Sequence, residues 1–127
     1  MWYPDSSTTH HLTPDASTLN HKTPYIVSEM VKIGNNTCLS IKNIGFSTYT
    51  TPNFSTKFSL THLLHVPSIS KSLLSVSKFA RDNHVFFEFH ADHCLSNIRK
   101  QSRLFFTERL RMAYMCFKIS FLLINFR

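Results

Sequence analysis

Apolar and polar side chains alternate one by one through much of the first hundred positions, a period of two that suits strands and does not suit helices. Val27, Val31 and Ile33 are interleaved with Ser28 and Lys32, and Leu39 and Ile41 with Ser40 and Lys42. Between these runs lies Gly34-Asn35-Asn36-Thr37, whose residue types tolerate the dihedrals of a tight turn. A β-hairpin is expected there. From Phe54 to Val66 the same alternation places Phe58, Leu60, His62, Leu64 and Val66 on one face, with Pro52 and Pro67 as boundaries. Val85 to His90 and Cys94 to Ile98 predict a second hairpin around Ala91-Asp92-His93.

One segment departs from the alternation. Ser70 is expected to cap a short helix over Lys71 to Asp82, with Leu73, Val76, Phe79 and Ala80 on one side and Asn83 as its stop. Short strands, one short helix and frequent turns predict an all-β class, a small barrel or sandwich. A length of 127 residues suits one domain.

The formal charge of +7 raises the question of nucleic acid, and its distribution answers it. Residues 1–98 hold seven Lys/Arg against six Asp/Glu, whereas residues 99–127 hold seven Lys/Arg against Glu108 alone. The body is nearly neutral and the excess sits on a tail, so nucleic-acid binding is not expected of the folded part. Tail binding would weaken steeply with salt. Met112 to Phe126 is apolar but interrupted by Lys118 and Asn125, and falls short of the roughly 20 residues a bilayer span needs. No membrane association is expected. Met1 is followed at once by Trp-Tyr-Pro-Asp rather than by a signal-peptide pattern, which points to the cytoplasm.

Cys38, Cys94 and Cys116 form no Cys-x-x-Cys pair, and the histidines His10, His11, His62, His65, His90 and His93 have no zinc-motif spacing. Ordinary structural or surface roles are expected, with no metal and no cofactor. Two glycines, Gly34 and Gly45, exclude the glycine-rich phosphate loops. Ser72, Ser75 and Ser77 offer no nucleophile elbow.

The stretch Trp2-Tyr3-Pro4-Asp5-Ser6-Ser7-Thr8-Thr9-His10-His11 resembles the Trp-Tyr-x-Asp-Ser-Gly-Ala-x-x-His signature that opens the protease region of Copia-type retrotransposon Pol polyproteins. The likeness continues through Leu12-Thr13-Pro14-Asp15, Val31-Lys32-Ile33-Gly34-Asn35, Leu63-Leu64-His65-Val66-Pro67, Lys71 to Phe79 and Val85-Phe86-Phe87-Glu88-Phe89. It implies a small retropepsin-like β-barrel over residues 1–98, with one short helix, followed by a degenerate, irregular or partly helical tail over 99–127. It also implies an aspartic endopeptidase in which Asp5, flanked by Ser6 and Ser7, is supplied once by each subunit of a homodimer acting on a peptide. Gly34 and Asn35 would then belong to a flap over the substrate, and the Leu73 to Phe79 helix would lie beneath the active site.

The chain departs from that pattern where Ser7 replaces Gly and Thr8 replaces Ala. Glycine permits close backbone approach, and a Cβ with a hydroxyl crowds a site built against its own symmetry mate. Peptidase activity is therefore expected to be impaired or absent. The alternative is a non-enzymatic β domain that acts at most as a dimerisation or peptide-binding module. In the tail, Arg103 to Tyr114 resembles a later Pol stretch that has lost its glycines, consistent with a decayed, retrotransposon-derived fragment.

Overall fold

A computed structural model describes residues 2–50, 57–89, 94–98 and 109–110. Strands β1 (Trp2–Asp5) and β2 (Leu12–Thr13) are followed by a 3-10 turn (Ala16–Thr18), β3 (His21–Pro24), β4 (Met30–Lys32) and β5 (Cys38–Ser40). Then come β6 (Asn43–Thr50), β7 (Lys57–His65), β8 (Ser72–Ser75), the single helix α1 (Val76–Asn83), β9 (Val85–Phe89), β10 (Cys94–Ile98) and β11 (Arg109–Leu110). The all-β expectation holds. One sheet has the order β1-β8-β2-β7-β6-β3, and β4-β5 and β11-β10-β9 form two smaller ones. Among the described residues the large sheet is open, with β1 and β3 as its edges, rather than a closed barrel.

The first hairpin forms where the turn chemistry places it, with Val31 opposite Leu39 and Lys32 opposite Cys38. Its left-handed residue is Asn36 at φ 65°, not Gly34. The Asn36 N–H donates to Ile33 O at 2.9 Å, and the Asn35 side chain accepts from the Thr37 N–H at 3.0 Å. The second hairpin pairs Val85 with Ile98 and Phe89 with Cys94. Its turn, the start of the Phe54 strand and most of the tail lie outside the described residues.

Two expectations are corrected. Along β7 the single apolar face does not exist, because Leu60 lies opposite Ser47 and Leu63 opposite Gly45. Thr61 and His62 thus share the space facing Phe46, a β-bulge, with His62 in the left-handed region at φ 50°. The extra residue reverses the pleat. Phe58, Leu60 and Leu63 join Trp2, Leu19, Leu74, Phe79 and Val85 in the main core, whereas Leu64 and Val66 join Leu12 in a second cluster. His62 is turned out to solvent.

The helix also begins later than Ser70 and Lys71. Ser72–Ser75 is a strand, parallel to β1 on one side and touching antiparallel β2 through Leu12 and Leu73 on the other. Pairing on both edges and full burial of Leu74 outweigh the weak helical pattern of Leu73 and Val76. The N-cap is Ser75, whose hydroxyl accepts from the Lys78 N–H at 3.4 Å.

The helix does stop at Asn83, where His84 takes the left-handed cap at φ 54°. Asn83 does more than end it. Its Oδ1 accepts from the Ser59 N–H at 2.7 Å while its Nδ2 donates to Ser59 O at 2.9 Å and Phe79 O at 3.0 Å. One side-chain amide thus satisfies the strand edge that β2 is too short to cover.

A Cβ on Gly45 would lie 1.9 Å from His21 O and 2.8 Å from Leu19 Cδ2, whereas one on Gly34 would meet nothing within 4 Å. Gly45→Ala is expected to destabilise the domain by about 2–3 kcal/mol, and Gly34→Ala to stay within about 0.5 kcal/mol of wild type, by urea unfolding. Equal effects would show that β3 does not press on β6 as described.

Candidate functional site

The acidic loop is placed by the unusual company of β8. Strand β1 lies on one side of it and β2 on the other, so residues 6–11 must cross over the end of β8, where α1 begins. Trp2 anchors the incoming strand, buried in the main core with its indole N–H donating to the Tyr49 hydroxyl. Lys71 sits 4.8 Å above the Tyr3 ring. Pro4, lacking an N–H, is tolerated because β1 is a sheet edge. Asp5 then emerges at the strand end, opposite Ser75.

Asp5 is half-buried and engaged by its own loop. The Ser7 N–H and the Ser7 hydroxyl both donate to Asp5 Oδ1, at 2.8 Å and 2.6 Å. The Thr8 hydroxyl reaches Asp5 O at 3.4 Å. Ser6 is exposed. Gly34 and Asn35, the other residues singled out by sequence, are exposed at the far end of the β4–β5 hairpin. The hairpin's Val31 and Leu39 pack against the second apolar cluster.

Beneath the loop lies a polar hub that sequence reasoning missed. The Ser75 hydroxyl donates to Thr8 O at 2.7 Å, and the Ser75 N–H donates to His11 Nδ1 at 3.1 Å. Both partners are in the crossing loop. His11 is fully buried, packed edge-on against Phe79 with ring centroids 6.5 Å apart. Burial, and secondarily the Lys78 ammonium, push its pKa down to about 4. The signature Trp-Tyr-x-Asp-Ser-Gly-Ala-x-x-His sets its histidine at His11 rather than at the exposed neighbour His10, and the fold supplies the physical reason.

Lys78 is itself nearly buried, its Nζ 3.1 Å from Asp82 Oδ2 and 3.5 Å from His62 Nδ1. The Thr61 hydroxyl donates to the same Asp82 oxygen at 2.6 Å. Burial raises the Asp82 carboxyl, but the Thr61 hydrogen bond and Lys78 outweigh it and leave the pKa below the usual value. His10 is lowered by burial and then by Lys78 and His62. His65 is tied to Asn43 Oδ1 at 3.0 Å. Among the described residues, no three His, Cys, Asp or Glu side chains converge as metal ligands, and no helix is long and apolar enough to cross a membrane.

An open all-β scaffold with the Asp5 loop laid across a strand–helix junction defines a small β domain. Residues 2–84 match the family described as Pol polyprotein, beta-barrel domain, and the chain belongs to that family. It is 34% identical over 88 residues to the retrovirus-related Pol polyprotein from transposon RE2 of Arabidopsis thaliana. It is 33% identical over 88 residues to the corresponding polyprotein from transposon RE1 of the same plant. Each alignment covers 69% of this chain and 6% of the relative, so the chain spans a small part of the polyproteins it matches. The Copia-type Pol resemblance is thereby established. No solved structure matches the chain significantly.

Ser75→Ala removes the helix cap and leaves Thr8 O without its donor. A loss of about 2 kcal/mol is expected in urea unfolding, against less than about 0.5 kcal/mol for exposed Ser6→Ala. A neutral Ser75→Ala would show that the hub does not hold the loop.

Proposed function

We propose that this is the protease-region β domain of a Copia-type Pol sequence, an aspartic endopeptidase scaffold whose loop has degenerated so that cleavage is impaired or lost. The observation that carries the reading is the Ser7 hydroxyl 2.6 Å from Asp5 Oδ1. In an active arrangement two Asp5 carboxylates, one per subunit, would approach to about 3 Å and share a proton. One would take a proton from water as the other gave one to the peptide carbonyl. The Ser7 N–H, at 2.8 Å, still makes the backbone contact that orients the carboxylate. The added Cβ and hydroxyl occupy space and an oxygen lone pair where the symmetry mate must come. On this reading residues 1–98 carry the domain, Gly34 and Asn35 form the tip of a flap, the partner is a second copy, and 99–127 stand apart as a degenerate tail.

Peptide-library cleavage at mildly acidic pH tests it. Wild type is expected to match Asp5→Asn, and Ser7→Gly with Thr8→Ala to raise pepstatin-sensitive cleavage by roughly a hundredfold. Asp5-dependent cleavage by wild type, or a folded dimeric double variant that stays inert, would overturn the degenerate-loop account.

A second reading, a non-enzymatic association or peptide-binding module, is favoured by three apolar side chains at the approach and start of the hairpin: Ile26, Val27 and Met30 are 95%, 58% and 53% exposed. Analytical ultracentrifugation at about 100 μM should show a dimer that Ile26→Lys with Val27→Lys converts to monomer. A monomeric wild type would sink the association reading and the paired active site together.

A further inference from the structure

We infer that His11 and Ser75 form an acid-released latch on the Asp5 loop, in which His11 is a positioning residue that holds the crossing segment against the β8–α1 junction. The functional meaning of the latch rests on reading Asp5 as a degenerate catalytic carboxylate; its geometry does not. The Ser75 N–H donates to His11 Nδ1 at 3.1 Å, so that nitrogen carries no proton and the ring is the neutral Nε2–H form. Nε2 is buried without a hydrogen-bond partner, beside Phe79. The other tie from the loop to this junction, Thr8 O to the Ser75 hydroxyl at 2.7 Å, ends on the same residue. Both polar anchors of the crossing segment on the strand–helix junction therefore pass through Ser75.

Protonating His11 in place would set an Nδ1–H against the Ser75 N–H and bury a cation that has no acceptor at Nε2. The charged and titratable groups that face it do not relieve this. From α1 come Lys78, of like charge, and Asp82, already bonded to Lys78 and Thr61; from the loop comes His10, also basic. Above about pH 4 the proton is accepted when the ring leaves its site, and the segment between Asp5 and Leu12 leaves with it.

The direction in pH is set by linkage. His11 titrates near 4 when buried, against its ordinary 6.5 when released. Between those values the released form binds more protons, so the latch is fully closed above about 6.5, weakens as pH falls and changes no further below about 4. The opening equilibrium should shift by roughly a hundredfold or more across that window.

Amide exchange and imidazole nitrogen shifts of the full 127-residue chain, recorded by NMR from pH 7 to pH 4, test the inference. In wild type, His11 should read as the neutral Nε2–H form at pH 7. Protection at Ser75 and across residues 8–11, corrected for intrinsic exchange, should fall roughly a hundredfold on acidification, while β6 and β7 amides keep theirs. His11→Asn offers an amide oxygen near the Nδ1 position and no titration, and should hold the loop with no such pH response. Parallel loss of protection in wild type and His11→Asn would overturn the latch. So would a His11 ring that titrates near 6.5 with Ser75 still protected, a measurement on wild type that stands even where the variant does not fold. Peptide cleavage is not read, so the latch and the protease-like reading can fail separately.

Discussion

Trp2–Asp5 and Ser72–Ser75 run side by side in the same direction, and the chain between them must fold back before they can meet. Closing so long a loop costs conformational entropy, which burial of Trp2 and Leu74 in the main core offsets. This pairing fixes the path of the acidic loop. With β1 on one side of β8 and β2 on the other, the chain crosses the end of β8 within a few residues. That end is also where α1 starts, with N–H groups that have no partner inside the helix. Ser75 answers both demands at once, giving its hydroxyl to Thr8 O and accepting from Lys78 N–H.

Away from the loop, α1 is bound to β7 by polar contacts as much as by Phe79. Asn83 imitates a neighbouring strand against Ser59, and Thr61, Asp82 and Lys78 link the helix to the bulge. A nearly buried ion pair is a weak source of net stability, because desolvation cancels much of the attraction. Its use here is placement: Lys78 and Asp82 fix the helix register beside the bulged strand, and the bulge splits β7 between two apolar clusters. The bend at His62 is what lets one strand serve both.

The legible parts of the fold were those written in local chemistry. Gly34-Asn35-Asn36 announces a reversal, and the Phe-rich run Val85 to Phe89 announces a strand, so both hairpins could be read without knowing their neighbours. The errors fell where tertiary partners decide. Leu73 and Leu74 suit a strand or a helix equally, and only pairing on both edges makes them strand. Perfect alternation through Leu60, His62 and Leu64 concealed a bulge, because an inserted residue has no signature until its partner strand is known. The acidic loop was legible as a motif, and the Ser7 departure as a steric problem. Ser75 was not, and His11 was legible only as the last position of that motif, since the feature that gives both their role is burial beneath a crossing chain.

The same geometry explains how such a loop can change without cost to the fold. Ser7 is exposed, and its N–H and hydroxyl both bond to Asp5, so a residue larger than glycine can stand there without entering the core. Ser75 and His11 are fully buried and bonded to each other, so a change at either strands a polar group in the interior. Constraint on chemistry and constraint on folding therefore act on adjacent but different residues. On the proposed reading, a sequence released from the first remains bound by the second, and residues 2–84 keep the form that their family matches.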